Sequence, residues 1–146
     1  MGPVESIVTT AWTDIQSRFG LLATEKYLDV PTYAYGSADW LSRYKYPVLF
    51  LTVDNVRQET SGIGAEELRV SLDLVLAQTA NKPETLESEV MQYTDCMLEL
   101  IRDDHTFGGA CHIGEFIASE LYAGSEQDRD IAIAIITILL RKEVQI

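Results

Sequence analysis

The sequence predicts an α+β fold: an antiparallel (mixed) β-sheet with two main helices packed on one face. Three patterns carry that prediction. Apolar residues recur at spacings of three and four in two separate stretches; they alternate singly from Leu68 to Leu76; and a ten-residue apolar run occupies Ile131–Leu140. With 146 residues the chain suits one domain around one core, so residues 1–146 are expected to form a single unit.

In the first helix, Val4, Ile7, Val8, Ala11, Trp12, Ile15 and Phe19 share one face. Pro3 suits its first turn, where the missing N–H costs nothing, and Gly20 is expected to end it. From Leu21 to Tyr46 the pattern dissolves into a segment with five tyrosines, at positions 27, 33, 35, 44 and 46, together with Trp40. Val30–Tyr35 is read there as a short strand, and Ser37 as the cap of one helical turn over residues 37–41. Pro47–Val53 and Leu68–Leu76 read as two antiparallel strands, joined by a polar projecting loop, Asp54–Glu67, too long for a tight turn.

Pro83 opens the second helix, whose apolar face is Leu86, Val90, Tyr93, Met97, Leu100 and Ile101. Glu84, Asp95, Glu99 and Arg102 lie on the opposite face. Gly108 and Gly109 end this region. The stretch Cys111–Leu121 then alternates as a strand, with Ile113, Ile117 and Leu121 on one side and His112, Phe116 and Ala118 on the other. A polar turn over Gly124–Asp128 leads to the last strand, Asp130–Arg141.

The last strand is apolar toward both faces, as a strand covered on both sides must be. Two helices cover only one face of a four- or five-stranded sheet. Either the sheet curls over on itself or a second copy of the chain covers the other face; the second is favoured. A charge at Ile135 is accordingly expected to abolish soluble expression; a variant that stays soluble and merely loses assembly would place Ile135 at an interface rather than in the core.

A formal net charge of −12 opposes wrapping by nucleic acid, which needs clustered Lys and Arg, and opposes docking on anionic lipid. The opening residues show no secretory signal, the longest apolar run is half a membrane span, and two cysteines make no disulfide framework. The expectation is a soluble intracellular protein that does not engage membranes.

The catalytic motifs sought are missing: no P-loop, G-x-S-x-G, H-E-x-x-H or C-x-x-C occurs. Gly62-Ile63-Gly64 is only the start of a dinucleotide fingerprint and follows a strand without opening a helix, so the loop-tip reading is strongly favoured. Cys96, His105, Cys111 and His112 could be drawn as a zinc site, but Cys96 falls mid-helix and adjacent Cys111 and His112 face opposite ways on a strand. Buried thiols and a surface histidine are therefore favoured, and nothing marks Cys111 with His105 as an activated pair. No enzyme activity, cofactor or metal is expected. The aromatic segment either packs on its own core edge or supplies rigid contact area for a neighbour.

The C-terminal half carries a resemblance. Tyr93, then Met97-Leu98 and Leu100-Ile101, then Asp104-His105-Thr106-Phe107-Gly108-Gly109 are followed by a strand with Tyr122 near its end and a final strand rich in Ile. This resembles the tail terminator (tail-completion) proteins of long-tailed bacteriophages and their prophage relatives, over residues 83–141 by motif and elsewhere by element order. Phe107 stands where the family more often has Leu, and the segment around Trp40 does not align.

The resemblance implies a structural virion protein without catalytic residues, at the head-proximal end of the tail and assembled in the host cytoplasm. Its subunits form a ring, usually a homohexamer, that caps the polymerised tail tube, stops its growth and presents a surface for head attachment. The implied partners are further copies of itself, the tail tube protein, and head or neck connector proteins. A neck or head-completion subunit is the alternative within the same biology, and a dimeric α+β binding module the alternative outside it. On the ring reading, Tyr33, Tyr35, Trp40 and Tyr44 would make subunit or tube contacts, and the loop residues Asn55, Gly62 and Gly64 would reach the tube or neck. Glu84, Asp95 and Glu99 either line the channel, where a negative wall lets DNA pass without binding, or face outer solvent. The charge is uneven: ten acids against six bases in residues 1–80, thirteen against five in residues 81–146.

Overall fold

The computed structural model describes residues 2–36, 46–62, 64–80, 83–126 and 129–145. Helix α1 spans Pro3–Glu25, β1 Thr32–Tyr35, β2 Val48–Gly62, β3 Ala65–Ala80, α2 Pro83–Asp103, β4 Ile113–Glu126 and β5 Arg129–Gln145. The sheet order is β1-β2-β3-β5-β4, with β1 parallel to β2 and the other pairs antiparallel. This is the expected mixed sheet with two helices on one face. Trp40, Tyr44 and the helical turn read at residues 37–41 lie outside the described residues.

Helix α1 opens on Pro3 with Glu5 in the first turn, where a carboxylate meets the positive end of the helix dipole. Ile7, Val8, Ala11, Ile15, Phe19 and Ala23 form its buried stripe. Gly20 does not end the helix, contrary to expectation. A Cβ there would lie 3.3 Å from the Tyr33 hydroxyl and 3.4 Å from Val30, so the glycine admits close packing of the following segment. The helix closes instead on Lys26. The Tyr27 and Leu28 amides donate to the carbonyls of Thr24 and Ala23, with Tyr27 left-handed at φ 59°.

The segment expected to be a projecting loop is sheet. β2 and β3 pair from Val48↔Ala77 to Gly62↔Ala65, and β3 pairs with β5 from Ala65↔Gln145 to Ala80↔Asp130. Residues 53–60 are polar except for Val53 and Val56 because this half of β2 is exposed to solvent, not because the chain leaves the sheet. Polarity there removes the alternation by which a strand is usually recognised.

Leu49, Leu51, Val70, Leu72, Leu74 and Leu76, with Ala134, Ile136, Ile138 and Leu140, form the sheet side of the core. The helices supply the other side, α2 through Leu86, Val90, Tyr93, Cys96, Met97 and Leu100. Each fully buried Leu or Ile contributes about 1.5–3 kcal/mol. On the helix-free face, Ala34, Val48 and Phe50 form a smaller cluster against Tyr46 and Val75.

The faces of β4 also differ from expectation. A register shift between Phe116 and Ala118 inserts one residue, so Phe116 pairs with Ile138 on the helix face while Ala118 pairs with Thr137 on the other. Ile113 and Leu121, expected on one side, pair with Arg141 and Ala134 on opposite sides. β4 also continues through Glu126, so strand occupies much of the expected polar turn.

Candidate functional site

The residues of the family-like motif form a wired turn at the end of α2. The Asp104 carboxylate accepts from the Thr106 amide (2.9 Å), the Thr106 hydroxyl (2.6 Å) and the Gly108 amide (3.2 Å), and Thr106 Oγ1 accepts from the Gly109 amide (3.3 Å). The Thr106 bonds, aided by the Gly108 amide and Arg18, hold the Asp104 carboxyl below its ordinary range. Gly108 and Gly109 take φ 71° and 86°, conformations that suit glycine. Phe107 is fully buried at φ 52°, and Gly114 leaves room for its ring: a Cβ there would sit 2.2 Å from Phe107 Cε2.

Arg18 of α1 locks this turn to the first helix. Its guanidinium grips Asp14 in a two-point contact (2.6 and 3.1 Å) and donates to the carbonyls of Leu100 (2.7 Å) and Asp104 (3.1 Å). These are C-terminal carbonyls of α2 that a cation satisfies well. Tyr93 stacks on Phe19 at 6.1 Å and donates its hydroxyl to the Asp29 carbonyl at 2.6 Å. Burial pushes the Tyr93 hydroxyl well above its ordinary range. Within the chain, the motif residues act as architecture.

The thiols are quiet. Cys111 Sγ donates to the carbonyls of His105 (3.6 Å) and Thr106 (3.5 Å), and burial pushes its thiol up to about 11. Burial does the same for Cys96, also to about 11. A thiol held protonated is a poor nucleophile and a poor metal ligand. Among the described residues, no group of three or more His, Cys, Asp or Glu is placed to hold a metal ion.

The helix-free face carries a charged row. Arg57 pairs across β2–β3 with Arg69, and Arg69 across β3–β5 with Arg141. Like charges directly opposite repel, and acids offset the repulsion. Glu67 contacts Arg69 at 2.6 Å and Arg141 at 3.2 Å, Glu59 contacts Arg69 at 3.1 Å, and Glu115 contacts Arg141 at 3.0 Å. Glu67 is held below its ordinary range, chiefly by Arg69 and then by Arg141. Arg57 has no ion pair among the described residues. Next to the row, Ile133, Ile135 and Leu139 are half-buried.

Both sheet edges run beside apolar grooves. One, of about 750 Å³, lies between the start of α1 and the β1–β2 edge, lined by Val4, Val8, Trp12, Tyr35 and Val53. A smaller one, about 130 Å³, lies between Val90 and Met91 of α2 and Leu121 and Tyr122 of β4.

The residues singled out from sequence are scattered over these surfaces. Tyr33 is turned into its own chain, edge-on to Trp12 at 5.9 Å, while Tyr35 is exposed at the larger groove. Asn55 is exposed on β2, Gly62 ends that strand, and Gly64 makes the turn at φ 77°. Asp95 is exposed on α2, but Glu99 is tied to Lys26 at 2.9 Å and raises the Lys26 pKa. The Glu84 side chain lies outside the described residues. The arginine row and Gly114 were missed. The row emerges only when three strands are in register, and Gly114 has no local turn signal.

No helix among the described residues is long and apolar enough to cross a membrane. No protein-family model matches the chain, and neither does any curated protein.

Proposed function

We propose that this chain is the subunit of a homo-oligomeric ring, most simply a hexamer, that caps the tail tube of a long-tailed bacteriophage or prophage. The ring stops tube growth and offers the surface to which the head or neck connector attaches. The work is structural, with no catalytic step. The observation that carries the reading is the sheet's uneven cover. Helices pack on one face, while the other face presents apolar side chains beside a charged row, and the distal half of β2 is an exposed edge. One subunit thus offers chemically different surfaces, which a rotationally closed heterologous ring requires. The resemblance of the Tyr93-to-Gly109 motif to tail terminators supplies the biological setting. Exposed acids on α2, Asp95 among them, suit a wall past which DNA slides.

Negative-stain microscopy with native mass measurement tests the reading, on the protein alone and mixed with purified tail tubes or filled heads. The expected result is six-fold rings with a central hole wide enough for duplex (roughly 20 Å) and binding to tube ends. Globular dimers that ignore tubes, or binding to heads only, would overturn it.

A further inference from the structure

We infer that neighbouring subunits join sheet to sheet, with β4 of one copy adding antiparallel to the distal half of β2 of the next. The inference rests on the ring reading and deepens it. β1 covers β2 only as far as Tyr35↔Leu51, where the Gly36 amide bonds the Leu51 carbonyl. Beyond that point, residues 52–62 of β2 pair with β3 on one side and with nothing on the other among the described residues. At the opposite end of the sheet, β4 pairs with β5 alone. Among the described residues, two long strands therefore each leave a row of backbone donors and acceptors without a sheet partner, the condition that invites strand addition.

Direction, length and face agree. β3 runs antiparallel to β2, β5 antiparallel to β3, and β4 antiparallel to β5, so β4 is antiparallel to β2 within the sheet. Rotation about an axis along the strands preserves those directions, so β4 meets the next copy's β2 antiparallel with both sets of helices on one side. β4 has 14 residues, enough to cover the free part of β2. The apolar groove beside each edge gives the added strand side-chain pockets as well as backbone partners.

Charge selects the partner and the register. β4 contains acids and no Lys or Arg, so pairing it with another β4 would bring only acids together. The free half of β2 offers Arg57, which has no ion pair of its own among the described residues. Placing Arg57 opposite Glu120 puts both on the helix-free face, since they pair internally with Arg69 and Ile135. The same register sets Val56 opposite Leu121 on the helix face, where the two are now 44% and 53% exposed. One alignment thus satisfies a charge and covers two apolar side chains.

The test is a cysteine pair, Val56→Cys with Leu121→Cys, in the full chain, oxidised after assembly and run without reductant. The native Cys96 and Cys111 are buried and do not compete. A ladder to the hexamer is expected from the pair, and none from either single variant. Separately, Arg57→Glu and Glu120→Arg should each lower the assembled fraction about tenfold, and the two together should restore it. Circular dichroism confirms that each variant is folded. A covalent dimer from Leu121→Cys alone would show β4–β4 pairing and overturn the proposal. Intact rings with no ladder and no charge effect would overturn the edge contact and leave the ring reading standing. A wild-type chain that forms no ring, alone or with tubes, would overturn the ring reading itself.

Discussion

Gly114→Ala adds one methyl group at a site with no space for it. Its Cβ would stand 2.2 and 2.7 Å from two carbons of the Phe107 ring and 2.9 Å from the His105 carbonyl oxygen. None of these neighbours yields freely. Phe107 is fully buried, and the His105 carbonyl already accepts the Gly114 amide at 2.6 Å. Forced overpacking costs about 1–3 kcal/mol, and weakening the amide bond adds about 1 kcal/mol. The expected loss is thus about 2–4 kcal/mol, a fall in Tm of roughly 5–15 °C for a chain of this size. Urea unfolding followed by far-ultraviolet circular dichroism measures it. Phe107→Ala alone should cost about 3–5 kcal/mol. The double variant should cost clearly less than the sum, because removing the ring removes the clash. A Gly114→Ala protein within about 0.5 kcal/mol of wild type, or strict additivity in the cycle, would refute the packing argument.

Arg18→Met should cost about 1–3 kcal/mol by urea unfolding, because it frees Asp14 and strips two helix-end carbonyls of their donor. Arg18→Lys should recover only part, since an ammonium cannot reproduce the fork; full recovery would refute this. Asp104, held below its ordinary 3.8, contributes stability present above that value and lost as pH falls through the lower folded value, because the unfolded chain binds the proton first. Asp104→Asn should therefore be less stable at neutral pH, with a shallower acid limb of the urea midpoint; an unchanged limb would refute it. Ile136→Asp, on the helix face at 2% exposure, should yield no soluble protein. Ile135→Asp, half-buried on the helix-free face, should fold and, on the proposed ring reading, lose assembly instead. Soluble expression of both to equal yield would show that the register argument is wrong.

The last contrast follows from the place of Ile135, half-buried on the helix-free face, which favours the interface alternative over the core one. The run Ile131–Leu140 is apolar throughout, so composition does not say which alternate residues meet the helices; pairing with β3 does. The helix stripes were readable because burial on one side imposes a period of three to four. Leu68–Leu76 was readable because burial on one side of a strand imposes alternation. Residues 54–67 were misread because alternation vanishes where a strand is solvated, although its backbone bonds continue. Gly20 was misread because a glycine that admits a neighbouring side chain looks the same, in one dimension, as one that ends a helix. The β4 bulge left no mark in composition, yet it reversed the side-chain assignment beyond it. At the candidate site, the Asp104–Gly109 turn was legible as a motif. The arginine row was not, since its members lie far apart in the chain.

The strand order has a consequence for synthesis. β5 is the latest described strand along the chain, yet it sits inside the sheet, between β3 and β4. During translation β4 emerges before β5, its partner among the described strands, and residues 65–80 wait with one side open until β5 arrives. Closure of the sheet therefore depends on contacts distant in sequence, a slow class of folding event. Until β5 arrives, Leu side chains of β3 that belong in the core lack part of their cover, the kind of exposed apolar surface that favours aggregation. The strand order that shapes the finished chain thus also orders its closure, with β5 completing the sheet.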